Sequence, residues 1–260
     1  MKSSNLLIGL CLLALPVCAT AQPSQSLQAG QTAARFEQTA EPAFAWDYLV
    51  YIPKASAAAP EKKFPAIIFL HGSGERGTNV WDVAKHGPPK IVKDQDDFPF
   101  IVLSPQCPPK QHWEAAEVWA FVKEMKQRYP LDENRIYLTG LSMGGGGTWT
   151  TLIAHPDLFA AAVPICGPAS TNLLANVPPD KMEILKHIPI WVFHGAKDPA
   201  VPVKNSEDMT AALKALGADV KLTVYPEAVH DSWTQTYANP ELFTWLLSHD
   251  RKSNGQVNAK

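Results

Sequence analysis

The sequence predicts an α/β domain built on a mostly parallel central sheet with helices on both faces. Three observations carry that reading. Short apolar runs rich in β-branched and aromatic residues alternate along the chain with segments of helical period. Several of the runs are continuously apolar, as strands buried on both faces require. No repeat, heptad, low-complexity block or long linker divides the 260 residues.

The first segment reads as an export signal. Lys2 precedes the apolar run Leu6 to Val17, and Ala19-Thr20-Ala21 supplies an A-x-A cleavage site. The apolar run is too short to span a bilayer, which takes about 20 residues. A lipoprotein site at Cys18 would need a small residue directly before it, and Val17 is not one. The expectation is therefore a secreted or periplasmic protein with residues 1–21 removed. Taking 21 from 260 leaves 239 residues, enough for one large domain with a well-covered core.

Residues 22–43 are rich in Gln, Ala, Ser and Thr and read as a tether or an early edge hairpin. The domain proper is assigned to residues 44–250. Its candidate strands are Ala45–Ile52, Ala66–Leu70, Phe100–Leu103, Arg135–Thr139, Ala160–Ile165, Ile190–Phe193 and Val220–Tyr225. Between them, Val118, Val122, Met125 and Tyr129 share one helix face ending before Pro130. Met209, Leu213 and Leu216 form a second stripe stopped by Gly217. Leu242, Trp245 and Leu246 mark a last helix, and residues 251–260 read as a polar, frayed tail.

Charge excludes one class of partner. The formal net charge is −2, becoming −3 once Lys2 leaves, and no Lys/Arg run exists. A neutral or weakly charged small-molecule or polymer-linked substrate fits better than nucleic acid, and no membrane span is expected.

Gly140-Leu141-Ser142-Met143-Gly144 is a G-x-S-x-G sequence between a strand and a helix-compatible segment, Thr148–Ala154. A sharp strand-to-helix turn crowds the neighbours of its central residue, so small residues must flank it. The serine hydroxyl then stands clear of the sheet beside a helix N-terminus. A nucleophilic serine needs a base, and the base needs an orienting acid. Asp198 lies on the loop after the strand Pro189–His194, and His230 on the loop after Val220–Tyr225, both beyond strand C-termini. Glu227 and Asp231 are too close to His230 in sequence, Asp208 belongs to a helix, and His194 is better placed to support the Asp198 loop. His155 caps a helix before Pro156. For an oxyanion, backbone N–H donors are expected from Met143 and from the loop His71-Gly72-Ser73-Gly74, with Ser73 first and Gly74 second. Trp233, three residues past His230, could wall an acyl pocket or simply pack its loop.

Two other chemistries are set aside. Gly72-Ser73-Gly74-Glu75-Arg76-Gly77 matches G-x-G-x-x-G after a strand, but His86-Gly87-Pro88-Pro89 should break the helix a dinucleotide site requires. The next strand also runs into Ser104-Pro105 rather than Asp or Glu. The nearest histidine pair, His187 and His194, is seven apart, and neither H-E-x-x-H nor C-x-x-C occurs. No cofactor or metal is expected.

Five blocks in order carry a resemblance: Phe69 to Gly77, Ile136 to Gly145, Pro164 to Gly167, Phe193 to Asp198, and His230-Asp-Ser-Trp233. They resemble the bacterial predicted-peptidase or phospholipase/carboxylesterase-like branch of the α/β-hydrolases, akin to dienelactone hydrolase and feruloyl esterase relatives. The resemblance implies an α/β-hydrolase fold and a nucleophile, acid and base at Ser142, Asp198 and His230. It also implies ester hydrolysis through an acyl-enzyme, with a peptidase or amidase as the alternative and a non-catalytic binding protein further off. Dienelactone hydrolases proper use a cysteine where Ser142 stands, and a larger residue would be expected at Gly146.

Cys11 and Cys18 leave with the leader. Cys107 follows the strand Phe100–Leu103 and Cys166 ends the strand Ala160–Ile165. In the strand order the fold implies, three inter-strand steps of about 4.8 Å separate them, beyond the disulfide limit near 7 Å. Two separate thiols are expected.

Overall fold

The computed structural model of the chain describes residues 27–255 except 42, 60 and 96. The expected leader, its cleavage site and the end of the tail lie outside the described residues. Eight strands form one sheet: β1 Gly30–Gln38, β2 Phe44–Ile52, β3 Phe64–Leu70, β4 Ile101–Pro105, β5 Leu131–Leu141, β6 Ala161–Ile165, β7 Ile190–Gly195 and β8 Val220–Tyr225. Their spatial order is β1-β2-β4-β3-β5-β6-β7-β8. The pairs β1–β2 and β2–β4 are antiparallel, and all the others are parallel.

The continuous apolar runs split by pleat between two cores. On β3, Ala66, Ile68 and Leu70 face one cluster, while Ile67 and Phe69 face the other. On β5, Ile136 and Leu138 oppose Tyr137 and Leu141 in the same way. The first face is covered by α1 Lys54–Ala58, α3 Ala115–Arg128, α4 Met143–Ala154, α5 Pro179–Lys186 and α6 Lys204–Ala215. The second is covered by α2 Gly87–Ile91, α7 Trp233–Ala238, α8 Pro240–Leu247 and a 3₁₀ turn at Val80–Lys85. None of the described helices is long and apolar enough to cross a membrane.

Local chemistry sets the helix bounds. Val118, Val122 and Met125 are the buried stripe of α3, and Tyr129 leaves the helix in extended conformation before Pro130, its hydroxyl pairing with that of Tyr48 at 2.9 Å. Gly217, at φ +85°, stops the chain just after α6, a conformation that an L side chain resists. Asn239 caps α8 by accepting the N–H of Glu241.

Of the tether and the edge hairpin expected for residues 22–43, the hairpin is what residues 30–38 form, as an edge strand in full register with β2. Two other readings change. Pro88-Pro89 does not break a helix: both prolines occupy the first turn of α2, where no N–H is required and φ is already suitable. The start of the tail is docked rather than frayed, since the Arg251 N–H bonds Asn134 O and Asn254 Nδ2 bonds Ala160 O.

Cys107 and Cys166 are buried and unbridged, at the ends of strands separated by β3 and β5. Burial pushes both thiols up to about 12. A chain beginning after Ala21 should therefore show no fast-reacting thiol when native and two after denaturation without reductant. Titration with a chromogenic disulfide checks this, and a denatured value of zero would contradict the strand order.

Candidate active site

The site gathers at the C-terminal ends of the parallel strands, beside the point where strand order reverses between β3 and β5. At the end of β5 the chain turns through Ser142 with φ +52° and ψ −118°, and α4 starts at the next residue. The turn is possible because its flanks carry no side chains. A Cβ on Gly144 would lie 1.9 Å from Leu70 O, one on Gly140 2.3 Å from Gly144 O, and one on Gly145 2.4 Å from Ile165 O. Gly146 and Gly147 answer the expected larger residue: their missing side chains make room for Pro168 at 3.1 Å and the Trp113 Cβ at 2.7 Å. The strained serine is pinned by its N–H to Ile165 O at 3.0 Å.

Ser142, Asp198 and His230 come together although 88 residues separate the first from the last. The Ser142 hydroxyl donates to His230 Nε2 at 2.8 Å, and His230 Nδ1 donates to Asp198 Oδ2 at 2.7 Å. The Asp198 side chain is fully buried and that of His230 is 24% exposed. Burial alone would raise the Asp198 carboxyl. Hydrogen bonds from His230 and from the N–H groups of Val201 and Ala200 outweigh it and hold the carboxyl below its ordinary value. His194 supports this loop: its Nε2 donates to Val201 O at 2.9 Å and lies 3.2 Å from Asp198 Oδ2, while Nδ1 accepts from Ser206.

The loop after β3 is braced from below. His71 Nδ1 donates to Gly72 O at 2.6 Å, and its Nε2 accepts the N–H of Cys107 at 2.9 Å. Trp113 Nε1 donates to His71 O. Only a neutral imidazole can accept at Nε2, and burial lowers His71 to about 4. Ser73 and Gly74 lie on the exposed outer side of this loop, in the 3₁₀ turn Ser73–Glu75, and Met143 is the first residue of α4, where its N–H has no intrahelical acceptor. The edge of the Trp233 ring meets the His230 ring, with centroids 5.3 Å apart, and Trp233 lines a cavity of about 390 Å³ with His86, Gly87 and Tyr237.

Sequence reasoning gave two residues here no part in the site. Cys166, at φ +40°, places its sulfur in a group with one carboxylate oxygen of Asp198 and one ring nitrogen of His230, all within 4.8 Å of one another. Hydrogen bonds already engage the carboxylate and imidazole, so this triple of potential metal ligands is occupied internally. Glu75 folds its carboxylate back over Gly72. Nothing in G-S-G-E-R-G signals that this acid is buried; the sequence places it only in a dinucleotide pattern and in the first block of the resemblance.

This topology, with a strained serine between a parallel strand and a helix and a His–Asp pair on the following loops, defines an α/β-hydrolase. Residues 109–253 match the Dienelactone hydrolase family. Two proteins called "Putative carboxymethylenebutenolidase" are similar. The one from Yersinia pestis is 33% identical over 169 residues, 64% of this chain and 55% of its own. The one from Escherichia coli strain K12 is 33% identical over 101 residues, 38% of this chain and 37% of its own. Among solved structures, a thermostable esterase is 36% identical with a TM-score of 0.71, covering 85% of this chain and 63% of that one. The chain thus spans less than two thirds of the length of these relatives. It belongs to the dienelactone hydrolase family.

Two measurements test this construction. Gly144→Ala should cost about 3 kcal/mol or more, because backbone must move, whereas Gly74→Ala, with nothing within 4 Å, should stay within about 0.5 kcal/mol. Denaturant unfolding of both variants reads the difference. His71 is neutral when folded but protonates below its ordinary 6.5 when unfolded, so its contribution is present above that value and lost as pH falls toward about 4. The wild type should lose about 3 kcal/mol over that window that His71→Asn does not. Equal acid sensitivity in the two proteins would refute the neutral assignment.

Proposed function

We propose that the chain is a serine esterase, hydrolysing carboxylic esters through an acyl-enzyme on Ser142. The single observation that carries this is the unbroken hydrogen-bonded line from Ser142 Oγ through His230 to the buried Asp198 carboxylate. His230 Nε2 takes the proton as Ser142 Oγ attacks the ester carbonyl. Asp198 holds the ring with Nδ1 protonated and stabilises the imidazolium that forms. The N–H of Met143 and one from the Ser73–Gly74 turn stabilise the tetrahedral oxyanion. His230 then protonates the departing alcohol, and water, deprotonated by the same nitrogen, releases the acid. The kinship with a solved esterase at 36% identity supports esters over other substrates. The composition of residues 1–21 supports export, and N-terminal sequencing of the secreted product should begin at Gln22.

A fluorophosphonate probe should label the wild type once per chain and leave Ser142→Ala unlabelled. Ser142→Ala should lower kcat for a p-nitrophenyl ester by about 10⁴ to 10⁶, and Asp198→Asn by about 10⁴ through the wrong imidazole tautomer. A matched anilide should turn over far more slowly than the ester. Wild-type-like turnover by Ser142→Ala would overturn the nucleophile.

A further inference from the structure

The acyl-transfer scheme leaves the carboxylate of Glu75 without a task, yet its side chain is only 9% exposed. Its backbone is fixed. The Glu75 carbonyl accepts from Gln106 Nε2 at 2.9 Å, and the same nitrogen bonds Asn79 O. Arg76 ties the turn by donating to Ser73 O and Gln111 O. The carboxylate itself accepts no hydrogen bond among the described residues, and the nearest basic nitrogen is His86 Nε2 at 3.7 Å. It also faces the nucleophile. Glu75 Oε2 lies 3.2 Å, and Ser142 Cβ 3.6 Å, from the point where a Cβ on Gly72 would stand, so those two atoms are separated by at most the sum of these distances. A group donating to Glu75 at about 2.8 Å would therefore sit within a few bonds of an ester carbonyl held at Ser142.

A carboxylate this close to the nucleophile opposes the negative charge that develops on the oxyanion, unless a donor from the substrate engages it. Its neighbourhood narrows the kind of donor. His86 stands between Glu75 and Trp233, with the two ring centroids 5.6 Å apart. Beside the carboxylate the wall offers His86 Nε2, 3.7 Å from Glu75 Oε1, a ring nitrogen that donates or accepts according to its tautomer. A hydroxyl can answer both, whereas an ammonium can only donate.

We propose that Glu75, flanked by His86 and Trp233, is a hydroxyl-recognising subsite, and that the ester substrate carries a hydroxyl within a few bonds of its carbonyl. The inference rests on the esterase reading above. The hydroxyl can belong to the acyl side, as in a 3-hydroxyacyl ester, or to the alcohol side, as in a monoester of a vicinal diol. Both present the same chemistry to Glu75.

The test compares kcat/KM for ethyl butyrate, ethyl 3-hydroxybutyrate, ethyl 3-aminobutyrate and 2,3-dihydroxypropyl butyrate. Wild type, Glu75→Gln and Glu75→Met are assayed side by side. The wild type should favour one hydroxylated ester over ethyl butyrate by about tenfold or more, the scale of a hydrogen bond to a charged group. Which of the two is favoured assigns the acyl or the alcohol side. That ratio should collapse toward unity in Glu75→Met and fall part way in the nearly isosteric Glu75→Gln, while turnover of ethyl butyrate rises as the opposing charge is removed. A purely structural Glu75 would lower all substrates together and leave the ratio where it was, overturning the proposal. So would a wild type indifferent to the hydroxyl, or one that prefers the amino ester. Should Glu75→Met fail to fold, an unchanged ratio in Glu75→Gln overturns it equally. Wild-type turnover of ethyl butyrate reads the esterase assignment separately: none with any of the four esters removes both readings, while equal rates remove only this one.

Discussion

Everything in the site depends on how closely the start of α4 approaches the ends of β3 and β6. With Gly144 against the Leu70 carbonyl and Gly145 against that of Ile165, the helix begins one residue after the strand stops. That distance leaves no room for a relaxed connection, so Ser142 adopts φ +52° and its hydroxyl is thrust above the sheet. The same compression brings the β3 loop alongside the serine. A looser turn would relax the backbone at Ser142 and draw the start of α4 away from Leu70 and Ile165. The strain is sustained by the two cores, which hold β3, β5 and β6 from both faces.

The remaining partners are positioned by different means. Asp198 is fixed locally, by two backbone N–H groups of its own loop and by His194, so its orientation survives independently of His230. His230 has fewer anchors and is located by the groups on either side of it, Ser142 and Asp198, and by the edge of Trp233. In the proposed acyl transfer, a rigid carboxylate and a more lightly held imidazole would suit a ring that takes and gives a proton at one nitrogen while the other stays bonded.

Sequence made the parallel sheet legible because strands buried on both faces have nothing to alternate with, and β3 and β6 read as unbroken apolar words. Ser142, Asp198 and His230 were legible for a related reason: each follows a strand whose end could be located. The edge strand β1 could be read as hairpin or tether alike, since a strand with one solvated edge and few buried side chains has the composition of a linker. Pro88 and Pro89 misled because a proline pair stops a helix from within but begins one from its first turn. Glu75 was illegible for a deeper reason. The acid folds back over Gly72 from a turn whose Glu75 carbonyl is held by Gln106, which follows β4 and lies thirty-one residues away in the chain.

The edge strand also bears on how the chain can be shortened. β2 is buried along most of its length and pairs on one side with β4 and on the other only with β1. Trimming past Gly30 would strip β1 and leave a long row of unpaired N–H and C=O groups beside Tyr48, Val50 and Ile52. Such a border invites strands from other molecules. The nine residues that look most like dispensable linker thus cover an edge that would otherwise stand open, and the cut after Ala21 proposed above would leave them in place.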